Sequence, residues 1–340
     1  MISALWLQAA CAAIAAAGLS VLATGEVLGY LRRRQILDRP NERSSHKHPT
    51  PRGGGLGVVP AVLLTWAVLA LVPLPLGPGP MSRWAWVSIA GALLLMIASW
   101  VDDRHTLPSA PRFLGQFVVV AGALALLPAG ALVFQGWLPP LADRVVAAIA
   151  WVWFINVFNF MDGIDGITGI EAGSLGGGIA LVVAATGTAT GLAPFALALA
   201  AAAAGFLVWN WHPAKLFLGD VGSVPLGFLL GGLLLQLALA GQLAAALILP
   251  ATYVADATLT IGLRIVRGEP FLRPHRQHFY QRAVQTGKRH DQVALAVLAG
   301  NLLLIACALL AGSGRIAEGA GAAMVVVAAL LALLQRWSRR

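Results

Sequence analysis

Two adjacent carboxylates, Asp102 and Asp103, lie where a long apolar run ends, and Arg104 follows them. Adjacent carboxylates repel one another, so both stay charged only beside a cation or water. Carboxylate oxygens are also ligands that Mg²⁺ prefers in proteins. The pair therefore indicates either a magnesium or phosphate site or a solvated helix end, and this pair alone does not decide between them.

A second polar segment, Asn156–Gly166, separates two apolar runs and carries two amides and two carboxylates. Asn156 and Asn159 are three residues apart and share one face of the predicted helix. Asp162 and Asp165 each precede a glycine, which permits unusual dihedral angles and the close approach of a ligand. Two helix caps are the alternative, but caps need fewer polar groups than this segment contains.

A third carboxylate, Asp220, belongs to the segment Phe217–Ser223 (FLGDVGS), directly before a further apolar run. Backbone N–H groups at a helix N-terminus can bind phosphate, while a carboxylate beside them can hold the magnesium of that phosphate. The segment therefore indicates a metal and anion site. The alternative is a turn aspartate followed by Ser223 as an ordinary N-cap.

Basic residues and glycines occur together in the segment Ser44–Gly55, where Lys47 and Arg52 precede the three consecutive glycines 53–55. Glycine N–H groups at a helix start can face an anion. The segment is not a Walker motif, because it lacks the G-x-x-x-x-G-K-[ST] pattern. A basic loop beside the membrane, without a ligand, is the alternative.

Imidazole and guanidinium groups cluster at His275, Arg276 and His278 in the longest polar loop. Their donors suit a pyrophosphate, whereas two close imidazoles without a cysteine are too few for a zinc site. Contact with anionic lipid is the alternative.

Asp256 lies inside an apolar run, where a carboxylate is a functional candidate. It could orient a loop residue or be buried and hydrogen-bonded without a catalytic part.

Long apolar helices must position these segments, because 59% of the 340 residues are hydrophobic and only 11% are charged. A soluble domain has about 25% charged residues. Since a bilayer span takes about 20 apolar residues, we predict an all-α polytopic membrane protein with ten or eleven transmembrane helices. The predicted helices cover about 4–31, 53–76, 82–101, 113–132, 143–160, 168–187, 193–211, 223–240, 242–266, 293–312 and 317–335.

We expect a single transmembrane domain over residues 1–340, and the functional residues lie in its polar loops. The main loops are predicted at 32–52, 102–112, 161–167, 212–222 and 267–292. Cys11 and Cys307 lie far apart in apolar runs and argue against a disulfide framework. The first apolar run lacks a basic n-region and a cleavage site, so we interpret it as a span rather than a signal peptide.

The positive charges set the predicted orientation. With a periplasmic N-terminus, all but three of the 23 Lys and Arg residues fall on the cytoplasmic side, and the exceptions are Arg83, Arg144 and Arg315. The net charge of +9 is therefore explained by the positive-inside rule rather than by a nucleic-acid partner. The same orientation places every polar segment described above at the cytoplasmic face of the membrane.

Five motifs, in this order, resemble those of the polyprenyl-phosphate N-acetylhexosamine-1-phosphate transferases. This superfamily includes the phospho-MurNAc-pentapeptide translocase and the enzymes that initiate O-antigen synthesis, and the resemblance covers about residues 38–290. The motifs are PTPRGGG at Pro49–Gly55, DDR at Asp102–Arg104, NFMDGIDG at Asn159–Gly166, FLGDVGS at Phe217–Ser223 and HRQHFYQR at His275–Arg282.

The resemblance implies an activity and its partners. The expected enzyme transfers N-acetylhexosamine-1-phosphate from a UDP-N-acetylhexosamine to undecaprenyl phosphate in the lipid bilayer and releases UMP. The expected cofactor is Mg²⁺, with Mn²⁺ as an alternative. A homodimer is compatible with the sequence, which does not set the oligomeric state.

The resemblance also implies residue roles. Asp220, with Asp103, is the implied metal ligand, and Asp102 joins them as catalytic residues near the lipid phosphate. Whether Asp102 acts as a base, a nucleophile or an orienting group stays open. The candidate substrate-binding residues, with Asp162 and Asp165 near the uracil, are Lys47, Arg52, Arg112, Asn156, Asn159, Asp162, Asp165, His275, Arg276 and His278.

Two departures distinguish this chain from the peptidoglycan branch of the superfamily. That branch has three consecutive histidines where this chain has His-Arg-Gln-His, and a downstream lysine where Arg104 or Arg112 supplies the charge here. Both favour the O-antigen and exopolysaccharide initiators. The alternatives are a lipid-phosphate phosphatase and a transporter of an anionic lipid. A transporter predicts internal repeats and midplane polar sites, whereas these polar segments gather at one face.

Overall fold

The computed structural model describes residues 2–40, 48–71, 80–105, 108–269 and 275–339, and these residues are almost entirely helical. Inside a bilayer a helix satisfies its own backbone hydrogen bonds, which is why apolar runs of this length become helices. The elements are α1 (Ile2–Arg33), β1 (Leu37–Asp38), β2 (Thr50–Pro51), α2 (Gly55–Leu71), α3 (Pro80–His105), α4 (Ser109–Ala125), α5 (Pro140–Phe160), α6 (Ile167–Thr186), α7 (Ala193–Asn210), α8 (Asp220–Leu237), α9 (Leu243–Ile248), α10 (Ala251–Val266), α11 (Phe279–Gln285), α12 (His290–Gly312) and α13 (Ile316–Trp337).

The all-α membrane architecture is confirmed. Within the described residues, eight helices are long and apolar enough to cross a bilayer, and α2 and α4 are shorter apolar helices. The predicted count of eleven is reached when both shorter helices and the 16-residue α10 also cross, and the count of ten when two of these three do. The two predicted helices at 168–187 and 193–211 are separate, as α6 and α7, with a 3₁₀ turn at Thr190–Leu192 between them.

The predicted helix at 242–266 is divided in the structure. The break predicted near residue 241 is present, because Gly241, within the segment Ala238–Gln242 between α8 and α9, takes the non-helical angles φ 87° and ψ 5°. The chain is interrupted a second time at Pro250, between α9 and α10. The sequence analysis did not predict this second interruption.

Helix α8 lies at the middle of the bundle, and 16 of its 18 residues are buried. It packs against α3 and α5 along much of its length. The alanine-rich run of α7 is largely buried and packs against α1 and α6. The Ser20 hydroxyl of α1 donates to the carbonyl of Ala202 at 2.7 Å, and such small residues let helix backbones approach.

The polar segments meet at one end of this bundle. The short strands β1 and β2 pair antiparallel, with Leu37 opposite Pro51. The chain then bridges from Arg52 to Phe217, which places the start of α2 beside the start of α8. This arrangement joins two segments that are more than 160 residues apart in sequence.

Candidate active site

Backbone hydrogen bonds fix the segment before α2 against the segment before α8, and we call this contact the backbone seam. The N–H groups of Gly53 and Gly54 donate to the carbonyl of Phe217 at 3.1 and 2.8 Å, and that of Gly55 donates to the carbonyl of Leu218 at 2.9 Å. The expectation that these three N–H groups face an anion is therefore wrong, because backbone carbonyls already accept their hydrogen bonds.

Close approach explains the glycines of this seam. A Cβ on Gly55 would lie 2.3 Å from the backbone of Gly222, which no real structure tolerates without a shift. Gly219 has a φ of 76°, and a Cβ there would lie 3.2 Å from Oδ2 of Asp103. Arg52 and Asp220 are direct neighbours of these glycines, so the seam sets both side chains at the same edge.

Three carboxylates and two guanidinium groups converge at this edge, and we call them the acidic centre: Asp102, Asp103, Asp220, Arg52 and Arg112. Nη2 of Arg52 lies 2.7 Å from Oδ1 of Asp220 and 2.9 Å from Oδ1 of Asp103. Nη1 of Arg112 lies 2.6 Å from Oδ2 of Asp102 and 3.5 Å from Oδ2 of Asp220. Asp220 thus forms ion pairs with both arginines.

The electrostatics of the centre favour an additional cation. Burial alone would lower the pKa of Arg52, but the carboxylates of Asp220 and Asp103 more than offset it and raise that pKa. The three carboxylates still exceed the two guanidinium groups by one negative charge. Since all the acceptors are carboxylate oxygens, the donor set is of the kind that suits Mg²⁺, and Asp103 and Asp220 share an arginine and could share a metal in the same way.

Asp162 lies near the acidic centre, at the corner between α5 and α6. Burial raises its pKa to about 7, against the opposing effects of the Thr168 hydroxyl and of Arg52. The Thr168 hydroxyl donates to Oδ1 of Asp162 at 2.5 Å. The charges of Arg52, Asp220 and Asp103 also act on this pKa, so Asp162 lies close enough to the acidic centre to interact with it electrostatically.

The two asparagines of α5 connect it to its neighbours. Oδ1 of Asn159 accepts a hydrogen bond of 2.6 Å from the hydroxyl of Ser223 on α8. Nδ2 of Asn156 donates to Oε1 of Gln116 on α4 at 2.6 Å. Through Ser223, Asn159 belongs structurally to the FLGDVGS segment, whereas Asn156 makes a buried contact between α5 and α4. A substrate contact for either residue stays a prediction.

Asp165 faces a different group of side chains, the His–Asp cluster of Asp165, His212 and His290. Oδ2 of Asp165 lies 2.7 Å from Nδ1 of His212, and Oδ1 lies 3.2 Å from Nδ1 of His290. The backbone N–H of Ala214 also donates to Oδ2 at 3.1 Å. Burial alone would raise the pKa of Asp165, but the hydrogen bonds of His290 and His212 lower it overall.

The sequence analysis missed both histidines of this cluster. His212 lies in the segment between α7 and FLGDVGS, and His290 is the first residue of α12. Each lies at the same end of a span as the motifs, which is the signal that could have found them. Because three different segments supply the three residues, sequence spacing alone gives no indication that they meet.

Asp256 holds the start of α11. Its Oδ1 accepts the backbone N–H of Phe279 at 3.0 Å, and its Oδ2 accepts that of Tyr280 at 3.1 Å. Nδ1 of the buried His278 lies 3.3 Å from Oδ1 of Asp256. The Tyr280 hydroxyl in turn donates to the carbonyl of Phe160 at 3.0 Å. Of the two roles left open by the sequence, orienting the histidine loop is the one that this geometry supports.

The other two predicted residues of this loop differ in exposure. His275 packs its ring 4.9 Å from that of His278, and burial, followed by the charges of His278 and Arg264, lowers its pKa to about 4. It is therefore neutral at pH 7 and offers an N–H donor rather than a positive charge. Arg276 is exposed, and its carbonyl accepts a hydrogen bond from Gln285 at 2.7 Å.

The structure thus brings together Arg52, Asp102, Asp103, Arg112 and Asp220, with Asp162 beside them. Asp165 joins two histidines instead, and the described part of the histidine loop is organised around Asp256. Arg104, the other suggested positive charge, lies over the ring of Trp100 at 5.4 Å. Lys47 lies outside the described residues.

The fold defines a multi-pass membrane protein, and its acidic centre groups three carboxylates with two guanidinium groups. Residues 85–238 match the family model described as glycosyl transferase family 4. The decaprenyl-phosphate N-acetylglucosaminephosphotransferase of Mycolicibacterium smegmatis is 30% identical to this chain, over 95% of the chain and 88% of the relative.

Two further relatives come from other organisms. A probable undecaprenyl-phosphate N-acetylglucosaminyl 1-phosphate transferase of Bacillus subtilis is 27% identical, over 77% of this chain and 73% of its own length. A phospho-N-acetylmuramoyl-pentapeptide-transferase of Synechococcus is 31% identical, over 72% of this chain and 74% of its own length. The chain belongs to glycosyl transferase family 4, the superfamily of polyprenyl-phosphate N-acetylhexosamine-1-phosphate transferases, and the resemblance of its motifs is confirmed.

Proposed function

We propose that this protein transfers N-acetylhexosamine-1-phosphate from a UDP-sugar to undecaprenyl phosphate, as the initiating step of O-antigen or another cell-envelope polysaccharide. The observation that carries the proposal is the acidic centre, where Asp102, Asp103 and Asp220 meet Arg52 and Arg112 within 3.5 Å. The reaction joins two anions, so its barrier consists largely of charge repulsion and positioning. A centre that combines carboxylates with arginines can reduce the charge repulsion and can also position the two anions.

Asp220 and Asp103 are the residues that would hold the magnesium ion, with manganese as a substitute. When bound, the metal supplies charge neutralisation of the diphosphate and of the departing UMP. Arg52 and Arg112 both contact the carboxylate of Asp220. When the diphosphate enters, their N–H groups are within reach to donate to its oxygens, because guanidinium groups bind phosphate through paired donors.

The acceptor needs orientation rather than deprotonation. A phosphate monoester has a second pKa of about 6, so the lipid phosphate is mostly dianionic at neutral pH. One of its oxygens attacks the β-phosphorus of the UDP-sugar, the bond from that phosphorus to the bridging oxygen breaks, and UMP leaves with that oxygen. Asp102, held by Arg112 at 2.6 Å, directs the acceptor, and no covalent enzyme intermediate forms.

The corner Asp162–Gly166 lies beside the centre and forms the proposed nucleotide side of the site, with Asn159 behind it. Exposed Arg276 and neutral His275 supply donors from the loop before α11. The charge distribution of the sequence supports an active site at the cytoplasmic face of the inner membrane, where nucleotide sugars are made available. The lipid tail of undecaprenyl phosphate then lies along the apolar helices with its head group at this face.

A product assay tests the proposal. Purified protein in detergent, undecaprenyl phosphate, Mg²⁺ and a panel of UDP-N-acetylhexosamines should give a lipid diphosphate sugar and an equal amount of UMP. Excess chelator should stop the reaction. Asp220→Asn should lower turnover by about 10²–10³-fold, the size expected for losing one electrostatic contact to the transition state.

Glu318→Gln is the matched control, because this acidic side chain is 53% exposed and pairs only with Arg315 at the start of α13 among the described contacts. It should leave turnover unchanged. Release of UDP instead of UMP would make the reaction a different glycosyl transfer. Release of inorganic phosphate from the lipid without a nucleotide would instead identify a phosphatase.

A further inference from the structure

The short helix α11 directly follows the histidine loop, and it cannot stay helical without help from its neighbours. It has 7 residues, whereas isolated helices shorter than about 12–15 residues are marginal in water. Asp256 holds its first turn by accepting the N–H groups of Phe279 and Tyr280. The contacts that hold its other end therefore decide how firmly the helix as a whole is placed.

The last turn of α13 supplies these contacts. Nη2 of Arg282 donates to Oε1 of Gln335 at 2.6 Å. Directly after α11, the Thr286 hydroxyl lies 2.8 Å from the carbonyl oxygen of Trp337. Nζ of Lys288 lies 4.9 Å from the centre of the Trp337 ring, where a cation is attracted by the face of the indole. Helix α13 thus contacts α11 and the turn that follows it.

Arg282 links the two ends of α11. Its Cζ lies 4.6 Å from the centre of the Phe279 ring, which is one turn earlier on the same face of the helix. Phe279 is also the residue whose N–H is accepted by Asp256. The guanidinium group therefore lies between the end that Asp256 holds and the amide of Gln335.

The end of α11 also reaches back to the histidine loop. Nε2 of Gln285 donates to the backbone carbonyl of Arg276 at 2.7 Å. Arg276 is exposed, and together with His275 it supplies the donors that the proposed transfer assigns to this loop. A shift of α11 therefore moves the backbone that carries the Arg276 side chain.

Helix α13 lies beyond the residues that carry the family motifs. The family model matches residues 85–238, and the last motif ends at Arg282. The hydrogen bond from Arg282 to Gln335 thus joins the last residue of a motif to an element outside all five. The function of this arginine is not explained by the acidic centre, because its partners are on α11 and α13.

We propose that α13 positions the donor-binding loop of the transferase through the contact of Gln335 with Arg282, an inference that rests on the proposed function. Both are positioning residues: they hold α11, and α11 holds the backbone of Arg276 through Gln285. The loop is then ordered before the nucleotide sugar arrives. The donor binds more tightly for this reason, since binding energy is not spent on ordering the loop.

Steady-state kinetics distinguish positioning from a general loss of stability. In Gln335→Ala and in Arg282→Ala, the KM for the UDP-N-acetylhexosamine should rise about five- to tenfold, because the donor must now order several loop side chains itself. The kcat should change by no more than about twofold, because the acidic centre is intact. A protein that is merely destabilised loses active molecules instead, which lowers kcat and leaves KM unchanged.

Two further variants test whether the two side chains act as a pair. Gln335→Glu keeps an oxygen acceptor for Arg282 and should retain the KM of the original protein. The double variant Arg282→Ala/Gln335→Ala should raise KM no further than either single variant, because both substitutions remove the same contact. Additive effects of the two substitutions would contradict a shared role.

Hydrogen exchange in the absence of substrate measures the same link without turnover. The backbone amides of residues 275–285 should exchange faster in Gln335→Ala than in the original protein. Val325→Ala is the control on α13, because this side chain is 69% exposed, and it should change neither the exchange nor KM.

The inference is overturned if exchange in Gln335→Ala matches that in Val325→Ala, or if kcat falls while KM for the donor stays the same. An original protein that transfers no sugar phosphate would contradict the proposed function. The exchange measurement would still decide whether α13 holds α11, because it needs no reaction.

Discussion

Asp162 is a carboxyl whose pKa of about 7 lies in the physiological range because burial, more than any neighbour, sets it. An unfolded aspartate has a pKa near 3.8. Between about pH 4 and about pH 7 the folded state thus retains a proton that the unfolded state has lost. The contribution of Asp162 is fully present at the low end of this window and is lost as the pH rises through the folded pKa.

We therefore expect Asp162→Asn, which stays neutral at every pH, to flatten the dependence of stability on pH in this window. The unfolding midpoint of the metal-free protein, measured at pH 5 and pH 8, should fall less in the variant than in the original protein. Other titrating groups contribute equally to both proteins and cancel in the difference. An equal fall in both proteins would show that Asp162 is ionised across the whole range.

Single residues of the acidic centre could be found from the sequence because each carboxylate interrupts an apolar environment at a helix end. Asp102, Asp103 and Asp220 needed no structure to be suspected. The partners of these carboxylates could not be predicted in the same way. Arg52 contacts Asp220 at 2.7 Å across 168 residues, and His290 contacts Asp165. Both contacts depend on which loops the bundle brings together, and no local pattern encodes this.

At the level of elements, α11 is a short helix whose position depends on one buried carboxylate. Asp256→Ala removes the acceptor of the Phe279 and Tyr280 N–H groups, and leaving such donors unsatisfied costs about 1–3 kcal/mol. We expect faster hydrogen exchange at these two amides and weaker nucleotide binding. Asp256→Asn keeps one carbonyl acceptor and should show a smaller effect. Equal protection in all three proteins would remove Asp256 from this role.

The contact between α2 and α8 depends on the absence of two side chains. Gly55→Ala places a methyl group 2.3 Å from the backbone of Gly222, and overpacking of this kind costs about 1–3 kcal/mol or more. We expect a lower unfolding midpoint and loss of transfer, because Arg52 moves with the seam. Gly115→Ala on α4 is the control: nothing lies within 4 Å of its added Cβ, and the helix gains up to about 1 kcal/mol. Similar midpoints for the two variants would contradict the close packing.

Helices could be predicted better than their ends. The length of each apolar run alone located nearly all of the transmembrane helices, because the bilayer core permits few backbone structures other than helices. The kink at Gly241, where φ is 87°, falls where the sequence predicted a helix end. The second interruption, at Pro250, was not predicted, because the sequence analysis treated 242–266 as one apolar run.

On the scale of the whole molecule, the proposed orientation makes opposite ends of α12 accessible from opposite sides of the membrane. Gln285 and Ser313 are both exposed and lie beyond the two ends of this span. In a background without Cys11 and Cys307, a membrane-impermeant thiol reagent added to intact cells should label Ser313→Cys but not Gln285→Cys. After the cells are opened, both should react.

The reverse labelling pattern would place the acidic centre on the outer face, away from nucleotide sugars. Labelling of both positions in intact cells would show that α12 does not span the bilayer.

The overall architecture could be predicted from composition and charge, because 59% hydrophobic content and the one-sided distribution of Lys and Arg leave few alternatives. The grouping of the polar loops at one end of the bundle followed from the same charge distribution, which placed every polar segment at one face.

The seam between the triple glycine and Phe217 has a consequence for how the protein is made. Arg52 leaves the ribosome long before Asp220 does, and its partner carboxylates on α3 cannot be held in their final geometry until the FLGDVGS segment arrives and closes the seam. A nascent chain that stops within α7 thus carries its arginine and its acidic pair without the backbone that aligns them. Insertion of α8 is therefore the step at which the membrane-embedded chain first acquires the complete acidic centre.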